Sequence, residues 1–217
     1  MKISIKELEL AFLRIISHLE NNDIKEFGLK HDYYWQIHKE QCYDVSKKPD
    51  VEEFTLGQLT WDIERAVKRV KDEEDEYVMA YDLVFLSTLM RAIGEEISAQ
   101  SRNELLSLEE RGTSMREAEY TKISIEKLKI GFLKVMRYLE EDGIKEFTLS
   151  NDYYWYIPKE QYYIPEERPK AEELKIGQLS SDIEKMRRIA NDKDEPIPND
   201  LMWLSAIMRA LGEEIFV

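Results

Sequence analysis

The sequence predicts a mainly α-helical protein with short extended segments, built as a tandem duplication of a three-helix unit of about 96 residues. The first observation is an internal repeat: 32 of the 63 residues in 2–64 are identical to those in 122–184. Likewise, 11 of the 16 residues in 82–97 match those in 200–215. The second observation is a helical spacing of apolar residues, and the third is an aromatic stretch typical of extended chain. We therefore expect two copies of one small fold, related by a pseudo-twofold axis.

The duplication also predicts the domain organisation. Residues 1–97 form the first repeat, residues 122–217 form the second, and the polar segment 98–121 joins them as a partly helical linker. Units of this size can bury enough apolar surface to fold on their own. We therefore expect two small cores, packed against each other in a chain that is a pseudo-dimer and a monomer in solution.

Each repeat is predicted to open with an amphipathic helix. In the first repeat it runs from Ser4 to about Asn22, and apolar residues recur three or four positions apart in both copies. Ser4 followed by Glu7 is a capping box, in which each residue binds a backbone N–H of the other. Ser124 is the equivalent cap, but Lys127 stands where the acid would be.

The next part of each repeat is predicted to be an ordered loop that carries short strands. In the first copy it extends from Ile24 to Leu56 and is interrupted by proline. Three consecutive aromatic residues, Tyr33, Tyr34 and Trp35, cannot all face one core in extended chain, since side chains alternate between faces. At least one of these rings must lie at the surface or at a second interface.

Two further helices complete each repeat. One is predicted to begin near Thr60 and Ser180, and the last covers 82–97 and 200–215. Before the first of these, Gly57 is interpreted as a tight turn, with the neighbouring aliphatic residues packed inward.

Composition and charge narrow the classes of partner. The chain is 43% hydrophobic and 35% charged, with a net charge of −14, which is typical of a folded protein and unfavourable for nucleic acid or anionic membranes. A basic protein partner is favoured, although the acids could simply solvate helix faces.

The lack of a long apolar run or signal-peptide core leads us to expect a cytoplasmic protein without membrane association. The single cysteine, Cys42, is expected to be a small buried residue.

No catalytic set is evident in the sequence. The three histidines have no histidine counterpart in the other repeat, and no phosphate-binding glycine loop is present. Carboxylates occur at equivalent positions, among them Asp62 and Asp182, and could bind a hard cation. Helix capping and ion pairs, such as Arg91 with Glu95, are the favoured interpretation. We therefore predict no enzyme activity, no catalytic residue, no metal site and no cofactor.

The densest shared pattern is D-Y-Y-W-x-I-x-K-E-Q-x-Y, at 32–43 and 152–163. Tyrosine and tryptophan are frequent binding anchors, so we predict a partner-binding surface here. The alternative is that the rings fill the protein's own core. The predicted partner-binding residues are Asp32, Tyr33, Trp35, Glu40 and Tyr43 in the first repeat, and Asp152, Tyr153, Trp155, Glu160 and Tyr163 in the second.

This aromatic block, a proline-bearing spacer and then G-Q-L-x-x-D at 57–62 and 177–182 resemble small bacterial proteins of unassigned function that are similar to the immunity-type proteins of toxin systems. The acidic charge and the aromatic block lead us to predict a non-enzymatic acidic protein that masks a basic macromolecule, such as a toxin or a nucleic-acid enzyme, and the resemblance agrees with this hypothesis. A second hypothesis is a structural or assembly module whose aromatic loops form the contact between its own repeats. An enzyme that uses carboxylates alone is the third.

Overall fold

The structure is a computed structural model that describes residues 1–71, 80–107 and 121–214. Within these ranges the chain is mainly helical with short antiparallel strand pairs, as predicted. The helices are α1 Ile5–Asn21, α2 Lys39–Cys42, α3 Leu59–Lys71, α4 Ala80–Ser107, α5 Ile125–Glu141, α6 Lys159–Tyr162, α7 Leu179–Ala190 and α8 Asp200–Glu214. The strands are β1 Lys2–Ser4, β2 Glu26–Leu29, β3 Tyr33–Gln36, β4 Thr55–Gln58, β5 Thr121–Ser124, β6 Glu146–Thr148, β7 Tyr153–Tyr156 and β8 Lys175–Gln178.

The first helix of each half begins at the predicted cap. The Ser4 hydroxyl accepts a hydrogen bond from the Glu7 backbone N–H at 3.1 Å, and the Glu7 carboxylate accepts one from the Ser4 N–H at 2.8 Å. The capping box of α1 is therefore complete. At α5 the Ser124 hydroxyl accepts a hydrogen bond from the Lys127 N–H at 3.2 Å, without a reciprocal bond.

The first strand of each half pairs with a strand of the other half. β1 runs antiparallel to β6, with Ile3 opposite Phe147, and β2 runs antiparallel to β5, with Phe27 opposite Ile123. All four of these side chains are buried. Backbone hydrogen bonds and apolar contacts therefore both hold the exchanged strands in place.

The helices also pack across the two halves. α1 lies against α7 and α8, while α5 lies against α3 and α4. Phe12 of α1 and Phe132 of α5 stack with their ring centroids 4.0 Å apart. Buried apolar side chains from both halves form one continuous cluster. The prediction of two separate cores is therefore wrong, because each half completes its apolar layer with helices of the other.

The α4–α8 pair makes the most extensive contact among the described elements. The predicted apolar stripes of these helices are buried, at Leu83, Leu86, Met90, Ile93 and Ile97 and at Leu201, Leu204, Met208 and Leu211. α4 extends to Ser107, and the rest of the linker, 108–120, lies outside the described residues, as does Ile215 at the end of the second stripe.

Candidate functional site

Two equivalent strand pairs carry the aromatic block. In the β3–β4 pair Tyr34 stands opposite Gly57, and in the β7–β8 pair Tyr154 stands opposite Gly177. A Cβ atom at Gly57 would lie 2.2 Å from Cζ of Tyr34, and one at Gly177 would lie 2.3 Å from Cζ of Tyr154. Glycine is thus required because a tyrosine ring lies directly over it. The interpretation of Gly57 as a tight turn is wrong.

The tyrosine above each glycine is bound to a buried carboxyl group. The Tyr34 hydroxyl donates to Oδ2 of Asp62 at 2.8 Å, and the Tyr154 hydroxyl donates to Oδ2 of Asp182 at 3.0 Å. Burial raises the pKa of each of these two aspartates to about 7, although the tyrosine hydrogen bond opposes the shift. These carboxyls therefore change charge near neutral pH while they hold the aromatic strands on α3 and α7.

The two aspartates that open the aromatic block anchor the start of the next helix. Oδ1 of Asp32 accepts hydrogen bonds from the Thr60 N–H at 2.8 Å and the Thr60 hydroxyl at 2.6 Å, and Oδ2 accepts one from Gln58 at 2.7 Å. Partial burial opposes ionisation, yet these hydrogen bonds lower the pKa of Asp32. Asp152 caps α7 through the Ser180 N–H at 2.9 Å. Both carboxylates thus have internal partners.

The tryptophans of the block reach into the opposite half. Trp35 is only 6% exposed, and its indole N–H donates to the carbonyls of Ile164 at 2.8 Å and Glu167 at 3.1 Å. Trp155 is 7% exposed, and its indole N–H donates to the carbonyl of Asp44 at 3.2 Å. Both predicted binding anchors are therefore buried in the contact between the halves.

Lysines of the block bind backbone carbonyls of the central helix pair. The Lys39 ammonium donates to the carbonyl of Glu213 on α8, and the Lys159 ammonium donates to the carbonyl of Glu95 on α4 at 2.5 Å. Each lysine therefore ties the loop of one half to the last helix of the other half.

The remaining predicted residues divide between the interior and the surface. Tyr163 is buried and Tyr43 is half-buried, and burial is the main cause that raises the pKa of both hydroxyls well above the usual range. Glu40 and Glu160 are exposed. The glutamates are consequently open to a partner, whereas the tyrosine rings belong largely to the interior.

Arg91 on α4 binds both halves of the molecule. Its Nε donates to Oε1 of Glu95 at 3.0 Å, which confirms the predicted pairing along the helix. Its Nη2 donates to the carbonyl of Ile157 at 2.5 Å, and its guanidinium lies 3.6 Å from the ring centroid of Tyr162. The helix spacing predicted the ion pair, but no local sequence signal indicated the two contacts across the halves.

Arg209 on α8 is the equivalent residue and has equivalent polar partners. Its Nε donates to Oε1 of Glu213 at 2.9 Å, and its Nη2 donates to the carbonyl of Ile37. The position that corresponds to Tyr162 is occupied by Cys42, which is 1% exposed, as expected for a small buried residue. Burial raises the pKa of the Cys42 thiol to about 11.

A cavity of about 250 Å³ lies between the two halves beside these arginines. Both Arg91 and Arg209 line it, together with Cys42, Tyr156, Tyr162 and Trp203. No local sequence pattern indicates this site, because its residues come from distant elements and the first-repeat equivalent of Tyr156 is Gln36. The structure thus provides a partly apolar chamber with guanidinium groups in its wall.

A second surface is formed by large apolar side chains that remain exposed. Tyr33 is 44% exposed, Leu56 is 46% exposed and Trp61 is 73% exposed. Tyr33 confirms that at least one ring of the aromatic run lies at the surface. The prediction that the aliphatic residues of this block pack inward is confirmed for Leu59 and Ile63, which are buried, and is wrong for Leu56 and for its equivalent Ile176, which is 49% exposed. Leu56 and Ile176 are exposed because side chains alternate along a strand, and these two face away from the tyrosines that cover the glycines.

Three further features of the described residues concern metal ligands, the surroundings of His31 and membrane-spanning helices. They contain no group of three or more His, Cys, Asp or Glu side chains arranged to hold a metal ion. His31 stacks on Tyr163 with centroids 5.0 Å apart, and burial lowers the pKa of His31. None of the described helices combines the length and apolar character that crossing a bilayer requires.

Comparisons with known proteins give no family for this chain. No protein-family model, no curated protein and no solved structure matches it.

Proposed function

We propose that this chain is a non-enzymatic acidic binding protein that masks a basic protein partner, in the manner of an immunity or antitoxin protein. The observation that carries the proposal is the exposed apolar surface formed by Tyr33, Leu56 and Trp61, called here the hairpin face. Tyr33 and Leu56 lie diagonally across the β3–β4 pair, and Trp61 follows at the start of α3. Exposed aromatic and aliphatic groups of this kind are frequent interaction anchors.

Charge supports a basic occupant for this face. The chain carries a net charge of −14. Exposed Glu64 lies three residues after Trp61 and so shares its side of α3, and exposed Glu40 follows the aromatic strand. A basic partner would bury its apolar centre on the hairpin face and approach under electrostatic attraction.

The second half presents a smaller version of the same surface. Tyr153 is 45% exposed and Ile176 is 49% exposed, but Ser181 stands at the position of Trp61. The first half therefore offers the larger apolar contact, and we propose that it is the principal binding surface.

We further propose that the two halves are a tandem duplication that replaces a homodimer. Equivalent strands, Trp contacts and Arg–Glu pairs recur in both halves, and Phe12 stacks on its own counterpart, Phe132. These correspondences support a pseudo-twofold monomer with repeats at 1–97 and 122–217. We also place the protein in the cytoplasm, on the sequence arguments given above.

The test is affinity capture from a native bacterial lysate with the immobilised full-length protein. We expect the wild type to retain a basic protein that is released as NaCl increases, because exposed ion pairs are screened by salt. The double variant Tyr33→Ser, Trp61→Ser should retain at least about tenfold less, while its exposed positions leave stability nearly unchanged. Tyr153→Ser in the second half is the matched control and should retain most of the partner.

Equal capture by wild type and the double variant would overturn the assignment of the hairpin face. Capture of acidic proteins only, with no salt dependence, would overturn the proposed charge complementarity.

A second candidate function is a structural or assembly module. The observation that favours it is the burial of Trp35 and Trp155, whose indole N–H groups bind carbonyls of the opposite half. In this case the aromatic block serves internal assembly alone. Absence of any retained partner with the wild type would favour this candidate.

A further inference from the structure

The cavity between the halves is asymmetric, and beside its two arginines the difference is Cys42 in one half against Tyr162 in the other. Tyr162 covers the guanidinium of Arg91 at 3.6 Å from its ring centroid, whereas Cys42 is the corresponding residue beside Arg209. The Arg91 side chain is 15% exposed and the Arg209 side chain is 27% exposed. A missing tyrosine ring therefore opens space next to Arg209.

Arg209 has hydrogen-bonding capacity left for a ligand. Its Nε and Nη2 donate to Glu213 and to the carbonyl of Ile37. Its Nη1 has no hydrogen-bond acceptor in the described part of the chain, and this nitrogen is not sealed from solvent. Because Arg209 lines the cavity, an oxyanion there can bind N–H groups that no protein atom uses.

The charges of the wall favour an anion. Lys39, Arg91 and Arg209 line the cavity, whereas Glu213 is the acidic lining residue and is bound to Arg209. Glu95, the ion-pair partner of Arg91, supplies a second negative charge nearby. Among the lining residues the three cations therefore exceed the single carboxylate by two charges, while Glu95, Asp62 and Asp182 lie behind the lining arginine and tyrosines.

The rest of the wall suits a flat apolar body. Rings of Tyr34, Tyr156, Tyr162 and Trp203 contribute to the lining, and the partly exposed Trp203 connects it to the surface. Aromatic walls stack favourably on planar ligands. The volume of about 250 Å³ lies just below the range of drug-sized pockets and therefore limits the occupant to a small molecule.

We infer that this cavity binds a small aromatic carboxylate, with its carboxylate on the free edge of Arg209 and its ring among the tyrosines of the two halves. The site is separate from the hairpin face and does not depend on the binding function proposed above. It requires both halves, because α8 supplies the arginine while α2 of the other half supplies Cys42 at the open wall.

The experiment is a titration of the full-length protein with phenylacetate. Binding is measured by calorimetry and by the fluorescence of the cavity tryptophans. Phenylacetamide has the same ring without the charge and is the matched ligand control. We expect phenylacetate to bind at least about tenfold more tightly than the amide, since a charged hydrogen bond is stronger than a neutral one. Inorganic phosphate, which has no ring, should not compete at the same concentration.

Variants at the asymmetric position locate the site. Cys42→Tyr rebuilds the ring that the second half has at Tyr162 and should reduce phenylacetate affinity at least about tenfold by filling the cavity. Cys42→Ser keeps the small volume and should bind as the wild type does. If Cys42→Tyr does not fold, Ala206→Leu fills the same cavity from α8 and takes its place.

Three results would overturn the inference: no phenylacetate binding by the wild type, equal affinity for acid and amide, or unchanged affinity in the folded cavity-filling variant. Competition by inorganic phosphate at equal concentration would overturn the aromatic part of the assignment.

Discussion

At Gly57 the backbone lies directly beneath the ring of Tyr34, and this contact gives a sharp prediction. Gly57→Ala would place Cβ 2.2 Å from Cζ of a tyrosine that is 2% exposed and bound to Asp62. Because the buried ring must move, we expect a loss of about 2–4 kcal/mol in the free energy of unfolding. Denaturant titration of the wild type and of Gly57→Ala measures this loss.

Gly131→Ala is the matched control for this substitution. Its Cβ would meet its nearest neighbours at 3.8 Å, and the equivalent position in α1 is already Ala11. We expect Gly131→Ala to be neutral or to stabilise by up to about 1 kcal/mol, since alanine favours helix. Equal effects of the two substitutions would contradict the close-contact explanation.

The buried carboxyls Asp62 and Asp182 predict an unusual dependence of stability on pH. Burial raises the pKa of each to about 7, above the 3.8 of an unperturbed aspartate. Between these values the folded chain holds protons that the unfolded chain has lost, so these groups make stability fall as pH rises. Above about pH 7 these carboxyls are ionised in both the folded and the unfolded chain, so their effect on stability no longer changes with pH.

The measurement compares wild type with the Asp62→Asn, Asp182→Asn double variant from pH 4 to pH 8. Asparagine imitates the protonated carboxyl and keeps an acceptor for the tyrosine hydroxyl. We expect wild-type stability to decline relative to the variant by at most about 1.4 kcal/mol per pH unit for each group. Parallel stability curves would show that these carboxyls are ionised throughout.

Among the elements, the aromatic strands β3 and β7 test the contact between the halves. Trp35→Phe keeps most of the ring but removes an N–H that serves two carbonyls, whereas Trp155→Phe removes one hydrogen bond. We expect a loss of about 1–2 kcal/mol for Trp35→Phe and a smaller loss for Trp155→Phe. Denaturant midpoints at constant slope report the differences.

Trp61→Phe is the surface control for this pair, because Trp61 is 73% exposed. We expect this substitution to change the free energy of unfolding by less than about 0.5 kcal/mol. If Trp35→Phe is as mild as Trp61→Phe, the indole hydrogen bonds contribute nothing to the assembly of the halves.

The same elements show how far sequence reasoning extends. Helices α1, α3, α7 and α8 follow local rules, such as the Ser4 cap and the apolar spacing, and were predictable. The partner of β1 was not predictable, because Glu26-Phe27 in the first half and Glu146-Phe147 in the second offer nearly the same strand. Only the three-dimensional path of the chain selects the strand of the other half.

Part of the candidate site was also predictable from residue types. Exposure of one aromatic ring followed from strand alternation, and Tyr33 is that ring. The internal roles of Trp35 and Asp32 depend on acceptors and donors far along the chain, at Ile164 and Thr60. No local pattern reports such contacts.

At the scale of the whole molecule, exchange between the halves is the dominant feature. Each half gives its first strand and first helix to the other, and ion pairs such as Arg187 with Glu7 at 3.0 Å add to the contact. Separated halves would expose apolar surface and unpaired strand edges. We therefore expect neither half to be a stable monomer alone.

The most direct test of this interleaved architecture is to produce fragments 1–107 and 121–217 separately and then mix them. Light scattering after size exclusion, with circular dichroism, gives the mass and the cooperativity of unfolding. The account predicts that neither fragment alone is a cooperatively folded monomer, and that the mixture forms a helical one-to-one complex. Two monomeric fragments that each unfold cooperatively, and do not associate, would contradict it.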